Sequence, residues 1–141
     1  MNKKTRSLKA SIAAVTLAAT SLVVAAPIAS AGTGACPLGA SCVWIHYNYD
    51  GIAGENYSHS SPVHASRDNN TKSAAANGKS CYATHFYDYR WGNSGSYFTL
   101  YSKYMKGSNY QDPNLSNGAG VGPYANENWA DRISRVTYDG C

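Results

Sequence analysis

The sequence has little of what membrane proteins and most hydrolases are built from. Past its first 31 residues Leu, Ile and Val are sparse, Phe occurs twice, and no apolar run is long enough to cross a bilayer. There is no His-Glu-x-x-His and no Gly-x-Ser-x-Gly, which removes the commonest zinc-protease and serine-hydrolase signatures. The four cysteines never pair as Cys-x-x-Cys, so a structural zinc site is not indicated. No stretch has the period of a long amphipathic helix. Charge of one sign is missing too. All 8 acids lie beyond residue 31, where 8 of the 12 bases also lie, so that part of the chain is formally neutral. A phosphate backbone would find no basic patch, and nucleic acid is excluded as a partner.

The opening 31 residues carry the remaining bases, Lys3, Lys4, Arg6 and Lys9. An apolar run from Ile12 to Val24 follows, then Pro27 and the small-x-small sequence Ala29-Ser30-Ala31. This is the pattern of a secretory signal peptide cleaved after Ala31, and it predicts a secreted mature domain over 32–141.

What that domain has in quantity is aromatic side chains and glycine: 12 Tyr, 3 Trp and 13 Gly. A core with few aliphatic residues must be built from aromatics, which suit the half-buried surface of a strand. An oxidising destination also assigns the cysteines. Cys36 and Cys42 bracket the turn-forming Pro37-Leu38-Gly39-Ala40-Ser41 and are expected to pair locally, leaving Cys81 to pair with Cys141. Strands are expected at Cys42–Ile45, Glu55–Ser58, Tyr82–Tyr87, Ser96–Tyr101 and Arg132–Tyr138. Between them, 60–76 and 106–128 read as polar or glycine-rich loops. The expected class is all-β, with a turn at Tyr47–Gly51 and another at Gly92-Asn93-Ser94-Gly95.

Catalytic readings are thin. His59 and His64 flank Pro62 and read as surface residues, and Gly118-Ala119-Gly120-Val121-Gly122 lacks the Lys-Ser/Thr of a phosphate loop. Dispersed acids leave a glycosidase pair conceivable on composition alone. The aromatics could stack on sugars, with Tyr101, Tyr104 and Tyr110 the most exposed, but core filling explains most of them.

The organising feature is a repeat. Trp44, Tyr49 and Gly51 fit aromatic-x4-aromatic-x-Gly, and Phe86 and Trp91 repeat the aromatics 42 residues later, with Asn93 in the glycine place. This resembles the opening of a βγ-crystallin Greek-key motif, and the order of features resembles the secreted βγ-crystallin-like peptidase inhibitors of actinobacteria, typified by a metalloproteinase inhibitor. The resemblance implies a two-motif Greek-key sandwich with two disulfides, no catalytic residues, and a monomer acting on an extracellular protease, most specifically a zinc metallopeptidase. It also implies calcium ligands at two signatures: Asn69, Asn70 and Ser73, better matched, and Asp131 and Ser134, where Ala130 and Arg135 break the pattern. An inhibitory loop is expected either at Lys79-Ser80-Cys81-Tyr82 or around Leu115 and Val121, because a thermolysin-like cleft favours a bulky apolar side chain after the attacked bond. The first is preferred, since a disulfide would hold it and the second has many glycines. The rival reading is a calcium-binding βγ protein of a cell surface or cell wall, of binding or toxin-like character.

Overall fold

A computed structural model describes residues 36–78, 80–91 and 95–141. The expected signal peptide, Lys79 and most of the turn at 92–95 lie outside the described residues. The strands are β1 (Ser41–Trp44), β2 (Gly54–Asn56), β3 (Ser60–Pro62), β4 (Ser73–Ala76), β5 (Ala83–Tyr87), β6 (Tyr97–Tyr101), β7 (Gln111–Asp112) and β8 (Arg135–Asp139). They form two antiparallel sheets, ordered β2-β1-β4-β7 and β3-β8-β5-β6. Each half of the chain therefore lends its third strand to the other sheet: β3 pairs with β8, and β7 with β4. This is the two-motif Greek-key sandwich of a βγ-crystallin-like domain. The exchange also explains why neither half closes a core alone.

Three strands lie where the chain reads as loop: β3, β4 and β7. Ser73-Ala74-Ala75-Ala76 has no strong β former, yet β4 is buried along its whole length. Small side chains are what that place demands. Ala74 and Ala76 face the core between the sheets, while Ala75 faces a second cluster outside β1 with Cys36, Ala40, Cys42, Trp44 and Tyr49. Tertiary packing overrides propensity here. Pro62 is tolerated in β3 because that strand is the sheet's edge.

The two copies match, but one residue out of the register that the aromatic spacing gives. On β1, Val43 faces the inter-sheet core and Trp44 faces outward; on β5, Phe86 faces that core. Strand alternation then makes buried Tyr87, not Phe86, the counterpart of Trp44. Trp44 and Tyr49 do meet edge to face, ring centres 5.3 Å apart, and Gly51 closes their turn at φ 81°. Phe86 instead stacks on Phe98 at 4.9 Å, and Trp91 is 64% exposed under the Arg90 guanidinium. Trp91 is thus no second corner aromatic. A one-residue slip carries a side chain to the opposite face, and five-residue aromatic spacing alone does not fix the face.

Candidate functional site

Both expected disulfides are present, Cys36–Cys42 and Cys81–Cys141. The second sits where the chain turns from β4 into β5, in the short segment Ser80-Cys81-Tyr82. Its last two residues are tied to one dipeptide. Cys81 is bonded to Cys141, and the Tyr82 N–H donates to the Gly140 carbonyl at 3.2 Å. Gly140 has to be glycine: its φ is 65°, and a Cβ there would lie 2.8 Å from the Tyr82 Cβ.

Ser102, buried just past β6, fastens the segment from the other side. Its N–H donates to the Tyr82 carbonyl at 2.9 Å, and its hydroxyl donates to the Gly78 carbonyl. The same hydroxyl accepts from the Met105 N–H at 3.3 Å, and its carbonyl accepts from Lys106 at 2.9 Å. One buried serine thus holds both flanks of Ser80–Tyr82 and also the turn that follows β6. Ser80 is exposed and the Tyr82 side chain is 43% exposed, its ring edge-on to Tyr101 at 5.3 Å with the Lys106 ammonium above both rings. Beside the disulfide lies a cavity of about 260 Å³ lined by Tyr57, His59, Ser80, Cys81, Tyr138 and Cys141. His59 Nδ1 stands 3.5 Å from the Cys141 sulfur, and burial pushes the Tyr138 phenol above its ordinary range.

The alternative loop is a different object from the one its glycines suggest. Leu115 is fully buried in the core, its N–H on the Lys72 carbonyl and its C=O taking the Trp129 N–H. Val121 exchanges both backbone hydrogen bonds with Thr99, at 2.8 and 2.9 Å. The glycines serve that stitching: a Cβ on Gly120 would lie 2.2 Å from the Thr99 carbonyl oxygen. The loop is therefore packed rather than loose, and Leu115 has no side chain to offer a protease cleft. Tyr104 is exposed as expected, whereas Tyr101 and Tyr110 are half-buried beneath Lys106 and Lys103.

The calcium candidates are regrouped by the same one-residue shift. Asn69 and Asp131 both adopt left-handed backbone, φ 52° and 59°, and they exchange symmetric bonds: Asn69 N–H to the Ile133 carbonyl at 3.0 Å, Asp131 N–H to that of Thr71 at 2.7 Å. Lys72 is then the counterpart of Ser134. The Ser134 hydroxyl donates to Asn69 Oδ1 at 3.3 Å, and in the matching place the Lys72 ammonium meets the Asp131 carboxylate. Ser73 is used elsewhere: its buried hydroxyl accepts from the Tyr49 N–H and donates to the His46 carbonyl. Asn70 donates to the Ser66 carbonyl. Among the described residues no cluster of three or more His, Cys, Asp or Glu is suited to a metal.

Ser102, Gly140 and the Lys103–Lys106 turn were not legible as site residues. A weak signal exists for the turn: Ser102, a good helix-start residue, followed by Gly107, a good stop.

The profile of Peptidase inhibitor family I36 matches residues 29–100, just over half of the chain. The chain belongs to this family. The matched span takes in the first motif and the Ser80–Tyr82 segment. As a member of family I36 the protein is a peptidase inhibitor, not an enzyme, and its partner is a protease. No curated protein and no solved structure matches it. Its disulfides fit an extracellular setting, and no helix among the described residues is long and apolar enough to cross a membrane.

Proposed function

We propose that the chain is secreted after loss of its leader and inhibits an extracellular metalloprotease by presenting the Cys81–Tyr82 peptide bond to the cleft. The observation that carries this is that both sides of that bond are held by the dipeptide 140–141, Cys81 through its disulfide and Tyr82 through its N–H. A segment whose two ends are already fixed binds with little loss of conformational freedom. Fixing also separates an inhibitor from a substrate. If the bond is cut, Cys81 stays on Cys141 and Tyr82 stays between Gly140 and Ser102, so the new ends remain close and rejoining competes with release. Tyr82 supplies the bulky side chain that a thermolysin-like cleft takes after the attacked bond. To enter, its ring leaves Tyr101 and Lys106, a contact worth about 1 kcal/mol.

The test is a panel of purified thermolysin-like, subtilisin-like and papain-like proteases at micromolar inhibitor. The expected result is tight inhibition of the metalloprotease, with slow nicking that creates a new N-terminus at Tyr82. Inhibition with nicking elsewhere rejects this loop. Full activity of every protease rejects inhibition and favours the cell-surface reading.

For calcium we propose one place, beside Asn69 and Ser134. Asn69 and Ser134 offer neutral oxygens, whereas Asp131 is already neutralised by Lys72, and Asp68 by Arg90. Calcium needs several free oxygen ligands. Calorimetric titration is therefore expected to give weak heat in the wild type, abolished by Asn69→Ala, and a clear gain in Lys72→Ser, whose melting temperature then rises by a few degrees in millimolar calcium. Equal behaviour of wild type and Lys72→Ser excludes the lysine as the blocking cation.

A further inference from the structure

We infer that the turn Lys103–Lys106 is a second contact loop of the inhibitory surface, and that it fits a protease whose cleft is rimmed by carboxylates beside an apolar patch. The inference rests on the inhibitor reading of Ser80–Tyr82 and adds what that surface selects. The two loops share one fastening. Ser102 binds Tyr82 and Gly78 on one side and the Met105, Lys106 and Gly107 N–H groups on the other. Lys103 also donates its N–H to the Ala76 carbonyl, at the end of β4 just before the first loop. The turn is closed by Gly107 at φ 69°.

Its tip carries two adjacent exposed side chains of apolar character. Tyr104 is 61% and Met105 48% exposed, side by side, and neither belongs to a core cluster. Tyr and Met are enriched in the buried centres of protein interfaces. On either side stand two ammonium groups held in place by aromatic rings: Lys103 over Tyr110 at 5.4 Å, and Lys106 over Tyr101 at 3.2 Å and Tyr82 at 5.5 Å from the ring centres. Lys72 meets Asp131, Arg90 meets Asp68 and Arg132 meets Asp88 and Glu127, while Arg67 and Arg135 donate to carbonyl and hydroxyl oxygens. Lys103 and Lys106 have no ion pair among the described residues. Two positive charges on a fixed frame beside Tyr82 call for negative charge on the partner, and such complementarity acts mainly on the rate of encounter.

The experiment uses the mature domain and the protease of the panel that it inhibits. Lys106 is left intact because it touches Tyr82. Tyr104→Ala/Met105→Ala is expected to raise the inhibition constant tenfold or more. Lys103→Glu is expected to slow association severalfold and to flatten its dependence on salt. Both variants should melt with the wild type, since the altered side chains are exposed. If both inhibit like wild type with the same salt dependence while Tyr82→Gly has lost inhibition, the second loop is refuted and the first stands. If the wild-type domain inhibits nothing in the panel, both are refuted.

Discussion

A Cys81→Ser/Cys141→Ser variant is expected to melt roughly 15–25 °C below the wild type and to become a substrate of the protease it should inhibit. The bond closes 60 residues of chain, so its loss restores ~4 kcal/mol of unfolded-state freedom on the chain-entropy estimate. The shorter Cys36–Cys42 loop, 6 residues apart, is worth ~2 kcal/mol on the same estimate, and its removal loosens only the outer cluster around Trp44. The functional effect should exceed the thermal one. Without the bond, the nearest hold before Tyr82 among the described residues is that of Ser102 on Gly78, and cleavage would free the segment that follows it. Thermal melts and mass mapping of the digested variant check both parts. A variant that melts within a few degrees of wild type and still resists digestion would show that the disulfide does neither job.

Trp129→Ala is expected to lose about 3–5 kcal/mol, the usual range for emptying a large aromatic from a core. Trp129 is fully buried, packs edge-on against Phe98 with ring centres 4.9 Å apart, and donates its indole N–H to the Tyr124 carbonyl at 2.8 Å. Its backbone N–H, which the substitution keeps, ties the 106–128 segment down through Leu115. Trp91→Ala should by contrast change stability by less than about 0.5 kcal/mol, because that ring lies on the surface. Denaturant midpoints of the two variants decide the matter. The reverse order would mean that Trp91, not Trp129, fills the second motif.

The contrast between the two tryptophans marks where the sequence is readable. β5 and β6 are rich in β-branched and aromatic residues that alternate between faces, so they announce themselves. Tyr47–Gly51 is equally plain, since Asn and Gly take the left-handed turns that the corner needs. β3 and β4 are hidden because what makes them strands is the partner across the sheet, not their own side chains. The repeat is visible but its register is not. An aromatic is found at both 86 and 87, and only the inward stacking of Phe86 on Phe98 shows which of them faces the core. The same slip conceals that Lys72 occupies the place of Ser134. Glycines at 118 and 120 look like flexibility in the sequence and serve close backbone approach in the fold. The disulfide-bearing loop was legible through its cysteine, while Ser102, its main fastening, is one serine among many.

Tyr82→Gly is the measurement that bears most directly on the proposed mechanism. Its inhibition constant against a thermolysin-like protease is compared with that of the wild type, alongside the melting temperature of each. The ring contributes no core packing, so the melting temperature should stay close to wild type while inhibition weakens by an order of magnitude or more. Unchanged inhibition by Tyr82→Gly, from a variant that is folded and disulfide-bonded, would contradict the assignment of the Cys81–Tyr82 bond as the one offered to the protease.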